Sequence, residues 1–138
     1  MRRIVVSEFV SLDGVMQAPG APEEDTSGGF KHGGWIFKFR DDRDPKYKLD
    51  ELSASDALLL GRVTYEIFAG YWPKANVPGF ANKMNSMAKH VVSTTLKKLD
   101  WNNSTLIKTN VPEEVEAAAG KGHSGIRKRE AGKHAVAA

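Results

Sequence analysis

The chain has no cysteine among its 138 residues, which excludes disulfides, thiolate nucleophiles and cysteine-ligated metals. It has no apolar run approaching the roughly eighteen residues that a membrane-spanning helix needs. Histidines are few, and His32, His90, His123 and His134 show no metal-ligand spacing, so no metal is expected. There is no internal repeat and no coiled-coil heptad. The opening "MRRIVVSEFV" is interrupted by Glu8 and is followed by no A-x-A pattern, so it reads as a first strand and not as a signal peptide. These absences together fit a cytoplasmic protein. What is present is ordinary for one globular domain, with 41% apolar and 27% charged residues.

Positive charge is the exception, because it is concentrated at one end. The formal net charge is +3, and residues 120–138 carry Lys121, Arg127, Lys128, Arg129 and Lys133 against Glu130 alone. Without that tail the body sums to −1. A basic-tailed protein that binds nucleic acid electrostatically is therefore one function class to weigh. The near-neutral body and the absence of any nucleic-acid-binding motif argue against it.

Along the chain, "RIVVSEFVSLDG" predicts a strand that stops at the Asp13-Gly14 turn, with Ile4, Val6 and Phe9 as core candidates. Residues 17–34 form a long loop rich in Gly, Pro and acidic residues, of the kind that is functional or mobile. Pro45 with Leu49 and Leu52 predicts a helix over 44–53. "DALLLG" is a continuous apolar run closed by glycine, as in a strand buried on both faces of a parallel sheet. The next segment changes period. Val63, Ile67 and Tyr71, with Thr64, Phe68 and Trp72 beside them, predict an amphipathic helix stopped by Pro73. A short helix in "GFANKMNSMA", strands in "KHVVSTTL" and "STLIK", and a helix in "VPEEVEAAAG" complete the alternation of an α/β domain.

Three units can carry chemistry. In "LLLGRVTYE" a buried strand gives way to a helix at Gly61. Such a turn is either a plain connection or an anion site, where free helix N–H groups, the Arg62 guanidinium and the Thr64 hydroxyl meet phosphate. In "VVSTTL" Ser93 and Thr94 either make a turn or line a nucleotide crevice at the end of a parallel strand. In "SLDGVMQAPG" Asp13 and Gly14 either form only a turn or belong to a loop covering a ligand, with Met16 as an apolar contact. Trp35 in "GGW" is a cavity wall or a core residue. Asp41, Asp42, Asp44, Asp50 and Glu51 crowd one region, but no catalytic acid among them stands out. The Asn-x-Ser and Asn-x-Thr sequons in "WNNST" have no role in a cytoplasmic protein.

"VSEFVSLDGVMQAPG", "DALLLGRVTYEIFAGYWP" and "KHVVSTTL", in that order, resemble the dihydrofolate-reductase-like family. That family is related to the reductase domain of the bacterial riboflavin-biosynthesis deaminase–reductase. The resemblance covers residues 1 to about 119, read as the N-terminal part of such a domain. It implies an α/β fold with a central mixed, mostly parallel sheet flanked by helices. It implies an oxidoreductase in which NADPH passes hydride to a small heterocyclic or carbonyl-like substrate at a CH–NH, C=N or C=O group. It places Gly61, Arg62 and Thr64 at the cofactor phosphates and Ser93 and Thr94 on the adenosine side. Asp13 and Gly14 fall near the nicotinamide and substrate, and Trp35 near a pocket tryptophan. A homodimer is common in the family. No counterpart is visible for the residue that binds the substrate carboxylate in true dihydrofolate reductases.

The resemblance ends at the tail. Family members continue after the "EEVEAAA" helix with a strand and a Gly-rich phosphate turn, then further strands, and none of these is legible in residues 120–138. The degenerate codons of the tail, read one base later, permit K-D-I-L-V-F-G-S-G-K-L-V-N-T-L-L, which has the family's pattern. The tail is therefore expected to be an out-of-frame or disordered segment, with the C-terminal strands missing and the reductase impaired. A non-catalytic α/β fragment is the remaining alternative.

Overall fold

The computed structural model describes residues 3–39, 41 and 43–120, apart from the side chain of Asp44, and the backbone of 134–137. The chain divides into two compact units, one of Ser7–Lys48 and one of Met1–Val6 with Leu49–Ala138.

The second unit holds the sheet. Its strands are β1 (Arg3–Val6), β2 (Ser55–Gly61), β3 (Ala88–Val92), β4 (Ser104–Ile107) and β5 (His134–Ala137), in the spatial order β1-β5-β2-β3-β4. All four pairings are parallel. The described sheet is thus parallel throughout and not mixed. The helices are α1 (Asp44–Ser53), α2 (Arg62–Tyr71), α3 (Phe80–Ser86) and α4 (Val111–Gly120). The expected strand–helix alternation from α1 to α4 is the one observed.

The expected absence of a strand after α4 is corrected. β5 lies between β1 and β2, pairing Arg3 with His134 on one side and Ser55 with His134 on the other. The physical reason is that β1 and β2 are separated by one strand width and both need main-chain partners there. Among the described residues β5 pairs with β2 from Ser55 to Leu59. The tail as a whole is not testable as a disordered segment, since residues 121–133 lie outside the described residues.

One face of the sheet carries the core. Leu58, Leu60 and Val91 point to the same side and pack with Leu52, Tyr65, Met84, Met87 and Trp101. The helical face of α2 differs from the expected stripe. Val63 and Tyr71 are 46% and 54% exposed, whereas Tyr65 is buried and Phe68, Ala69 and Trp72 pack on the core. That i, i+3, i+4, i+7 set buries three aromatic rings, more apolar area than the alternative stripe offers. Pro73 lacks the N–H that would bond the Ala69 carbonyl, so the chain leaves α2 through a 3-10 turn at Trp72–Lys74. On the other face Ala57, Leu59 and His90 line a small void of about 30 Å³ with Val115, Ala118 and Ala119 of α4. Ile4 and Val6, expected in the core, are 50% and 72% exposed, and Phe9 is 38% exposed. For the two strand residues the cause is position: β1 is an edge strand, bonded on one side only among the described residues.

A lysine sits inside this core. Lys89 shares its face with Leu58 and Val91 and is wholly shielded from solvent. Its Nζ donates to the Met87 carbonyl at 2.7 Å and the Asn85 carbonyl at 3.1 Å, and lies 4.2 Å from the centre of the Trp101 ring. The ring is fixed in turn. Its Nε1–H donates to Asn85 Oδ1 at 2.7 Å, and the Trp101 backbone N–H donates to the Tyr65 hydroxyl at 3.0 Å. Asn85 Nδ2 donates to the Trp72 carbonyl at 3.0 Å. One polar knot therefore joins α2, α3, β3 and the segment before β4. Carbonyls and a π face compensate the ammonium only partly, and burial pushes its pKa down to about 8.

Two outcomes follow from this architecture. Deleting residues 134–138 should release β1, and hydrogen exchange should show the β1 amides that bond to β5 losing protection while the β2 amides that bond to β3 keep theirs; unchanged protection throughout β1 would contradict the topology. For Lys89, both folded and unfolded states are protonated below pH 8, so the folded state bears the full desolvation cost there. Between about 8 and 10.5 the folded state sheds the proton first, and stability rises with pH by at most about 3 kcal/mol. Denaturant midpoints of the wild type relative to Lys89→Met should rise across that window, and a constant difference would reject the assignment.

Candidate functional site

In the sheet unit, the register brings Gly61 opposite Val92, so the carboxyl ends of β2 and β3 are adjacent. Gly61 precedes α2 in an extended conformation and supplies no side-chain cap, so the N–H groups of the first turn meet no capping side chain. Arg62 is half-exposed, and its Nη1 donates to Glu66 Oε2 at 2.7 Å, one turn along the same helix. A solvent-exposed pair of this kind is worth under about 1 kcal/mol, so an incoming phosphate competes for the guanidinium at small cost. Thr64 is half-buried on the same turn.

Ser93 follows β3 directly and is buried. Its N–H donates to the Ile107 carbonyl at 3.0 Å, continuing the ladder to β4. Its Oγ accepts from the N–H groups of Thr95 and Leu96 at 3.2 and 3.1 Å and lies 3.3 Å from Thr95 Oγ1. The hydroxyl of Ser93 thus closes a turn. Thr94 is exposed beside it at the same edge. Gly61, Arg62, Thr64, Ser93 and Thr94 therefore share one end of the parallel sheet.

In the loop unit, residues 11–15 close a tight ring. Ser11 N–H donates to the Val15 carbonyl at 3.0 Å, Val15 N–H to Ser11 Oγ at 2.8 Å, and Gly14 N–H to the Ser11 carbonyl at 3.0 Å. Gly14 sits at φ +89°, a conformation that a side chain would strain. The Ser11 hydroxyl donates to Asp13 Oδ1 at 2.5 Å. This bond, with the Asp13 backbone N–H second, holds the Asp13 carboxyl below the usual carboxylate range. At neutral pH Asp13 is an exposed acceptor and not a proton donor. Met16 is also exposed.

The long loop that follows is knitted together by its own polar groups. Glu24 Oε2 accepts from the N–H groups of Gly20 and Ala21 at 2.6 and 3.1 Å, and Gln17 Nε2 donates to the Ser27 carbonyl at 3.0 Å. Gly33 passes so close to the chain that a Cβ there would lie 2.4 Å from the Pro22 carbonyl oxygen. That approach lets Gly34 N–H reach the Ala18 carbonyl at 2.8 Å and Trp35 Nε1 the Gln17 carbonyl at 2.9 Å. Trp35 then forms part of the wall of a cavity of about 210 Å³, together with Phe9, Val10, Ile36, Phe39, Tyr47 and Lys48.

The sequence-derived residues thus fall into two sets. The cofactor set lies in the sheet unit, and Asp13, Gly14, Met16 and Trp35 lie in the loop unit. Of the latter only Trp35 lines the cavity. Sequence reasoning missed Lys48 and its aromatic neighbours, which lie far apart along the chain. It also missed Lys89, although its two-residue offset from the buried Val91 is the strand signal that places both on one face. In the acidic cluster, Arg43 holds the Asp41 carboxyl below its usual range, donating from Nε and Nη2 at 2.9 Å each. Asp42 and the Asp44 side chain lie outside the described residues. Among the described residues no three His, Asp or Glu side chains converge as a metal site would require, and no helix is long and apolar enough to cross a membrane.

None of the curated proteins matches the chain. The family model of the RibD C-terminal domain matches residues 2–121, which includes both sets of residues and stops just after α4. That domain is of the reductase type and belongs to riboflavin biosynthesis, and its dihydrofolate-reductase-like α/β fold agrees with the parallel sheet and flanking helices described above. The chain belongs to the RibD C-terminal domain family.

Proposed function

We propose that the chain is an NADPH-dependent reductase domain acting on a small heterocyclic substrate with a C=N or C=O group, and that its cofactor side is impaired. The observation that carries the reading is the adjacency of Gly61 and Val92 with the uncapped first turn of α2. Adjacent carboxyl ends of parallel strands, met by a helix N-terminus, form a nucleotide-binding edge. There the α2 N–H groups and Thr64 bind phosphate oxygens, and Arg62, released from Glu66, pairs with the 2′-phosphate that NADPH has and NADH lacks. Thr94 borders the same crevice, with Ser93 holding its turn in shape. NADPH supplies hydride when bound. A cytoplasmic location and a homodimer belong to the same reading.

Impairment is supported by the composition of the tail. Residues 121–133, where the second phosphate turn would follow α4, are the ones whose shifted codons permit the family's strand and glycine turn. We read the tail as out of frame from about Gly120, which the coding DNA tests directly.

Fluorescence titration with NADPH should give a dissociation constant well above the micromolar range for this chain and a micromolar one for the chain translated in the shifted frame. Micromolar binding by the present chain would refute impairment, and no binding by either would refute the reductase reading. In the shifted-frame chain Arg62→Ala should weaken NADPH by about 10- to 100-fold, as expected for loss of a charge-assisted bond of about 1.5–3 kcal/mol, and leave NADH unaffected.

A further inference from the structure

The cavity of the loop unit has one feature that neither the cofactor edge nor the family match explains. It is an open cleft with a mainly apolar and aromatic wall, in which Trp35 is partly buried and Phe39 and Tyr47 are largely exposed, and one cationic side chain, Lys48, stands in it. The lysine is not loosely placed. Its Nζ donates to Ser7 Oγ at 2.5 Å and sits 4.7 Å from the centre of the Phe9 ring. Ser7 lies on the segment leading to Phe9, so one short stretch of chain supplies both contacts. Trp35 is held as firmly, through its Nε1–H bond to the Gln17 carbonyl.

Size and chemistry together define a ligand class. At about 30 Å³ of liquid volume per water, a space of about 210 Å³ corresponds to roughly seven waters, the bulk of a molecule of one or two fused rings. Aromatic walls favour a flat π system, which stacks or meets ring edges. A positioned ammonium at the wall favours an anionic edge over a neutral one, because the bond it donates is then charge-assisted on both sides. We propose that this cavity binds small planar aromatic carboxylates and that Lys48 selects the anionic form.

The proposal rests on the cavity of the loop unit alone and goes beyond the reductase reading. Its test needs no cofactor, so the two fail separately: NADPH titration addresses the reductase, and ligand binding in its absence addresses the cavity. The probes are indole-3-carboxylate and its neutral isostere indole-3-carboxamide, added to the full chain and followed by ligand-observed NMR and calorimetry. The carboxylate should bind at least about tenfold more tightly at pH 7, a preference of about 1.4 kcal/mol. Lys48→Gln should remove that preference while leaving carboxamide binding as it was, and Lys48→Arg should retain it. Retained carboxamide binding also shows that the variant still forms the cavity. If neither probe binds the wild type, if both bind equally, or if Lys48→Gln keeps the preference, the proposal is wrong.

Discussion

The sheet depends on a tetrapeptide. β1 and β2 do not touch each other's main chain. Each bonds to β5, and β5 is four residues long. In a parallel ladder this element supplies the donors and acceptors of two neighbours at once, so losing it opens two edges and not one. The remaining order β2-β3-β4 has its own core face, with Leu58, Leu60 and Val91 packed under α2 and α3. Stability is therefore unevenly distributed. A dense half is built around β2 and β3, and β1 is tied to it through a single short strand.

The dense half also carries the edge proposed to meet phosphate, and the two properties are linked. The same strand that buries Leu58 and Leu60 delivers Gly61 to the surface at its end. The helix that begins there buries Tyr65, whose hydroxyl reaches Trp101 and so joins the knot around Lys89. Displacement of α2 on the sheet would thus disturb both a buried ion and an uncapped helix terminus. Lys89 raises no ligand question of its own. Its three contacts are two carbonyls and a ring inside the core, and its cost to stability is offset by tying four segments into one arrangement.

Much of this was legible in the sequence because the signals were local. The apolar run before Gly61, Pro45 and Pro112 in first turns, and Pro73 after a helical period give α1, β2, α2 and α4 with nearly their observed limits. The strand–helix junction that carries Gly61, Arg62 and Thr64 was legible for the same reason, since the three lie within four positions of one another. What escaped was long-range. "HAVA" has no turn signal and no strong β-former pattern, and only its distant partners in β1 and β2 make it a strand. The rotation of α2 was decided by the space available to Tyr65, Phe68 and Trp72 and not by the apolar count of either stripe. The aromatic cavity draws on Phe9, Trp35, Phe39 and Lys48, which meet only after the intervening loop has closed on Gly33.

The pairing of Arg3 with His134 has a temporal side. These residues stand at nearly opposite ends of the chain, so the contact carries close to the largest sequence separation that 138 residues allow. Parallel pairings of this range form slowly, because the closure of the intervening chain must precede any gain from the contact. During synthesis β1 is made first and waits for β5 while β2, β3 and β4 assemble. Throughout that interval Ile4, Val5 and Val6 present an extended apolar segment with unmet main-chain groups. Until β5 is made, that edge is open to pairing with the strands of other chains.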